Sequence, residues 1–134
     1  GQLEQAFACY DRALQLADQA QDTLAQVDAL GMLKWLFNEV GAFSNACKCL
    51  EDVVQLLLKA GETSALAPNL LELGQLYARM DEFELAVERF EEAHKMALEH
   101  KPDDSKLQAY IQLELAQSAL ELNDVDAALG AHEM

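Results

Sequence analysis

Residues 83–97 place Phe83, Ala86, Val87, Phe90, Ala93 and Ala97 at gaps of three and four, which lays one apolar stripe along a helix. The stretch before it does the same with Leu66, Leu70, Leu73 and Tyr77. Between the two stripes, residues 79–83 (RMDEF) read as a short polar turn, with Asp81 placed to cap the second helix. The pattern predicts two antiparallel helices joined tightly. Gly74 sits inside the first of them. Facing Ala86, it would let the two backbones approach closely, which offsets a helix-propensity cost of about 1 kcal/mol relative to Ala.

The pattern recurs. Ala46 stands forty positions before Ala86 and has Phe43 before it and Leu50 and Val53 after it. Forty earlier again, Ala6 has Leu3 before it and Tyr10 and Ala13 after it. Ala128 follows Val125, with Leu129 beside it and Ala116 in the place of Gly74. The matching turns are residues 39–43 (EVGAF) and 122–126 (LNDVD), where Gly41 and Asn123 tolerate the left-handed conformation that ends many helices. A fixed period near forty is the mark of stacked helical repeats. It predicts about seven helices, as a partial unit at about 1–21 and units at about 23–61, 63–101 and 104–134 of a single repeat domain.

A small residue, a tyrosine three on, then aromatic-x-x-Ala-x-x-x-Phe-x-x-Ala resembles the tetratricopeptide repeat, here Leu73, Gly74, Tyr77, Phe83, Ala86, Phe90 and Ala93. The resemblance covers nearly all of the chain, in a version longer than the 34-residue form. It implies an all-α fold, a right-handed superhelical stack of antiparallel helix pairs (an α-solenoid). Similar forty-residue versions are common in bacterial signalling and regulatory proteins. The ending DAALGAHEM is similar to the last repeat before the linker in some multidomain bacterial regulators. Three positions depart from the pattern: Lys34 stands where Gly74 does, Ala119 replaces Tyr77, and His132 replaces Phe90. Pro68 is tolerable only near a helix start. Phe7, Tyr10 and Leu14 lack a preceding helix to cover them, so a fragment of a longer solenoid is expected.

The net charge of −15 repels phosphate backbones and anionic lipid, so neither nucleic acid nor membrane is an expected partner. The longest apolar runs are far too short to span a bilayer. Three cysteines (Cys9, Cys47 and Cys49) cannot all pair, and the latter two point to different helix faces, which favours a reducing, cytoplasmic setting.

Catalytic constellations are missing. The chain has no glycine-rich phosphate loop and no G-x-S-x-G elbow. Glu91 and His94 are spaced as in di-iron bundles, but no second such pair accompanies them, so a surface contact is expected. Asp103 and Asp104 lack the spacing of a calcium loop and read as helix caps. Cys47 and Cys49 have neither the gap nor the partner ligands of a zinc site. No enzyme activity, cofactor or metal is expected.

The resemblance implies a concave groove lined by the first helix of each pair, holding an extended peptide or a helix. Residues on those helices that lie off the packing stripe are Asp28, Met32, Trp35, Asn38 and Glu39, then Leu71, Glu72, Gln75 and Arg79, then Tyr110, Leu113, Glu114 and Gln117. Trp35 is the only tryptophan, and tryptophan is enriched at binding hot spots. The acidic bias of this face suits a protein or peptide ligand of basic or apolar character. The expected role is a protein-interaction module, regulatory or scaffolding, within a larger protein. Two alternatives are a scaffold that self-associates through its open ends and a small-molecule sensor closing around Trp35 and Tyr110.

Overall fold

A computed structural model of the chain describes the backbone of residues 1–133 and the side chains of residues 1–123. Six α-helices follow one another: α1 (Gln2–Ala20), α2 (Thr23–Glu39), α3 (Phe43–Ala60), α4 (Leu66–Arg79), α5 (Phe83–His100) and α6 (Ser105–Glu133). A single 3₁₀ turn, Thr63–Ala65, precedes α4. There is no strand among the described residues.

The helices end by a repeated device. Gln21, Gly41, Gly61 and Asp81 all take left-handed backbone conformations, with φ of 52°, 77°, 74° and 62°. The next residue in each case donates its N–H to the carbonyl five positions back: Asp22 to Ala17, Ala42 to Phe37, Glu62 to Leu57, and Glu82 to Tyr77. These are Schellman-type ends, and they satisfy carbonyls the last helical turn leaves open. They fall twenty residues apart, so a half-period of twenty runs inside the repeat of forty. The series stops at Lys101, whose φ is −139°. Lys101 precedes Pro102, and the proline ring pushes the residue before it into extended conformations.

Asp81 therefore closes α4 and does not cap α5. The residue flanking the start of α5 is Glu82, which makes no side-chain cap bond. Caps from side chains do occur at Asp22, which accepts from the Ala25 N–H at 3.1 Å, and at Asp104, which accepts from the Leu107 N–H at 3.0 Å. Asp103 instead offers its carbonyl to the Ser105 N–H. Pro68 lies in the first turn of α4, where its missing N–H has no helical partner to lose.

The expected turn at residues 122–126 is absent: α6 runs through it, giving six helices where about seven were expected. Asn123 tolerates a left-handed end but does not force one, and no glycine or proline stands in 122–126. The pairing of Ala116 with Ala128 falls outside the described side chains on the Ala128 side, as do the readings at Val125, Leu129 and His132. Ala116 itself is exposed, and among the described side chains of α6 the small residue that is buried is Ser118.

The chain divides into two compact units, Gly1–Ala65 and Leu66 onward. In the first, α2 packs on both α1 and α3. Its core joins Leu30, Leu33 and Leu36 to Ala46, Leu50, Val53 and Leu57. Phe7 of α1 stands against Phe37 of α2 with ring centroids 5.1 Å apart, a tilted aromatic pair. In the second unit, α5 packs on α4 and α6, burying Leu66, Leu70, Leu73 and Leu76 against Ala86, Phe90, Ala93 and Ala97, with Ile111 from α6.

Gly74 is buried, but its neighbour differs from the expected one. A methyl group there would lie 2.5 Å from Cε1 and 2.6 Å from Cδ1 of Phe90. The glycine makes room for an aromatic ring. Phe90 is fully buried in consequence, which contributes about 2–3 kcal/mol of apolar burial.

Candidate functional site

All thirteen residues projected onto the first-helix face lie outside the core. In the first unit, Asp28, Met32, Trp35, Asn38 and Glu39 stand on α2. Trp35 keeps 52 % of its surface exposed and Met32 39 %. The inner side of α2 is already filled by Leu33, buried, and by Phe37 against Phe7. Sequence reasoning missed Leu24 on this outer face, where it is 72 % exposed. It lies eleven positions before Trp35, three helical turns, and the same face-projection that selected Trp35 would have found it. The Asn38 Oδ1 is buried without a hydrogen-bond partner. That leaves an acceptor whose solvation was lost and not replaced.

In the second unit, four projected residues meet. Gln75 and Arg79 from α4 and Glu114 and Gln117 from α6 line a cleft of about 530 Å³. The Gln75 Nε2 donates to Glu114 Oε1 across it at 3.4 Å. Ala78, Phe83, Ser118 and Glu121 complete the wall. Glu121 shares the acidic bias expected of the first-helix face, whereas Phe83 was not among the groove residues read from sequence, because it belongs to the helix expected to pack. Leu71 and Glu72 lie one turn before Gln75 and are half-buried. Tyr110 and Leu113 project from α6 with 51 % and 66 % of their surfaces exposed, and do not line the cleft.

The groups considered for chemistry stay apart. Among the described residues no three His, Cys, Asp or Glu side chains are placed to hold a metal ion. His94 does not pair with Glu91; its Nδ1 lies 3.2 Å from Gln112 Nε2 on α6. All three cysteines are free thiols. Burial, with Glu51 adding to it, pushes the Cys47 thiol up to about 11. Burial raises Cys49 as well, with Asp52 reinforcing it. Both groups stay protonated at neutral pH and are poor nucleophiles.

No helix among the described residues is long and apolar enough to cross a membrane. Neither a protein-family model nor a curated protein matches this chain.

Proposed function

We propose that the chain is a tetratricopeptide-type interaction module, a right-handed stack of helix pairs that binds a peptide or helix of a protein partner in a concave acidic–aromatic groove lined by its first helices. The observation that carries this reading is the cleft between α4 and α6, where Gln75, Arg79, Glu114 and Gln117 come together around the Gln75–Glu114 hydrogen bond. Side-chain amides both donate and accept, so such a surface can satisfy the backbone of an extended peptide. Glu114 and Glu121 outnumber Arg79, which favours a basic segment. The four helix ends spaced at twenty residues support a helical repeat independently of any residue in the cleft. On α2, Leu24, Met32 and Trp35 offer the apolar contacts that anchor residues of such a ligand need.

Selection of a displayed random peptide library on the 134-residue chain tests the reading. The expected winners are rich in Lys, Arg and large apolar residues. Peptides that dock in the second-unit cleft lose at least about tenfold in binding on Gln75→Ala/Glu114→Ala, and those that dock on α2 lose as much on Trp35→Ala. Failure to enrich any sequence, or equal binding by folded variants, removes the proposal.

A further inference from the structure

Sizeable cavities of the first unit lie on the other side of α2. Two of them, about 690 Å³ and 580 Å³, share Leu14, Leu30 and Asp52 and so form one continuous trough. Its floor is α2, through Leu30, Leu33 and Phe37. At 100° per residue these three point about half a turn away from Asp28, Trp35 and Glu39. One wall is α1, presenting Phe7, Asp11, Leu14 and Asp18 at helical spacing. The other is α3, with Lys48, Asp52 and Lys59 along its edge. Both walls pack on α2, yet α1 and α3 nowhere bring Cα atoms within 8 Å of each other.

A bed floored by one helix and walled by two others is the shape that a further helix fills, ridge into groove. Charge narrows the choice of helix. On the α1 wall both charged groups are carboxylates, Asp11 and Asp18, seven residues and so two turns apart. Each accepts a hydrogen bond from a glutamine amide, Asp11 from Gln15 and Asp18 from Gln26, and neither of those donors brings a positive charge. The α3 wall alternates in sign, two lysines to one aspartate, so its small net charge is opposite to that of the α1 wall. A second copy of this chain would bring another −15 to the contact and is disfavoured by repulsion.

We propose that this trough binds an amphipathic helix of a protein partner, apolar face down, with Lys or Arg side chains two turns apart along the flank that meets α1. The site is separate from the first-helix face and stands whether or not that face binds a peptide.

The test uses fluorescence anisotropy with the full chain and two labelled synthetic helices of about 18 residues, five turns. Both carry the same leucine stripe; one has lysines two turns apart on one flank, the other glutamates there. The lysine helix binds saturably and the glutamate helix does not. Asp11→Lys/Asp18→Lys weakens the lysine helix by about tenfold or more and admits the glutamate helix. Lys48→Glu/Lys59→Glu, on the opposite wall, tightens the lysine helix. Glu88→Lys/Glu91→Lys on α5 makes the same change in net charge and leaves affinity within about twofold, as it alters only long-range, salt-screened attraction. Trp35→Ala leaves binding unchanged, which separates this site from the one proposed above. The inference is overturned by absence of saturable binding, by equal loss in the two lysine-substituted variants, or by loss on Trp35→Ala.

Discussion

The hairpins α2–α3 and α4–α5 occupy equivalent positions forty residues apart and solve the same packing problem with different side chains. In α4–α5 the pivotal contact is one large ring, Phe90, lodged over Gly74, with Ala86, Ala93 and Ala97 around it. In α2–α3 the equivalent of Gly74 is Lys34, and the equivalents of Phe90, Ala93 and Ala97 are Leu50, Val53 and Leu57. All three of those aliphatic residues are buried, while Lys34 is half-buried. One hairpin concentrates its apolar volume in a single knob; the other spreads it along a ridge. Both keep the same helix ends, with Gly41 answering to Asp81. The repeat is thus a rule about where the backbone turns and where apolar volume goes, and not about which residue supplies it. The outer faces diverge further, since Trp35 answers to Gln75 and Met32 to Glu72.

The comparison breaks most sharply at Phe90. Phe90→Ala removes the whole knob and is expected to cost about 3–5 kcal/mol. Leu50→Ala is expected at about 2–4 kcal/mol, because Val53 and Leu57 retain part of the ridge. Urea unfolding followed by circular dichroism reads both; an equal or larger loss at Leu50 would contradict the single-knob description. A smaller effect is expected at Gly74. Gly74→Ala gains helix propensity of about 1 kcal/mol, but its methyl group collides with the Phe90 ring, and overpacking costs about 1–3 kcal/mol. The net change is destabilising. Adding Phe90→Leu to Gly74→Ala should cost less than the two single effects summed, since the collision is then removed. Additive losses would show that the glycine serves something other than the ring.

Much of this fold is legible in the sequence, because a stripe with gaps of three and four has one physical reading. The helices, the turns at Gly41 and 79–83 and the buried face of α5 all follow from it. What escaped has a common cause. The Phe90 ring over Gly74 is not legible in the spacing, which identifies a face but not which atom across the interface comes nearest. Asp81 reads as a cap because its side chain suits an N-terminus, whereas its tolerance of positive φ is the property the fold uses. The turn at 122–126 was inferred from alignment with the other units, although its residues allow a helix to continue. For the candidate site, projection placed every named residue off the core. It could not show that only Gln75, Arg79, Glu114 and Gln117 would meet in one cleft, since that depends on how α4 and α6 lie on α5. The trough over α2 was not foreseen at all: its walls are second helices, read from sequence only for packing.

The finest distinction between the hairpins is at their helix ends, where the backbone is the same and the residue is not. Gly41 has φ of 77° and Asp81 has φ of 62°. In this region an L-residue carries a steric cost of about 1–2 kcal/mol that glycine avoids, and Asp recovers part of it through local hydrogen bonding. Gly41→Ala is therefore expected to destabilise the first hairpin by about 1 kcal/mol. Asp81→Gly is expected to stabilise the second by a few tenths of a kcal/mol, the gain at the site reduced by greater freedom of the unfolded chain. The two substitutions move opposite ways although both touch only an exposed turn residue. Parallel thermal melts of the two variants measure this directly. A loss on Asp81→Gly as large as that on Gly41→Ala would mean that the Asp81 side chain holds the turn through its own contacts, and the two ends would no longer count as one device.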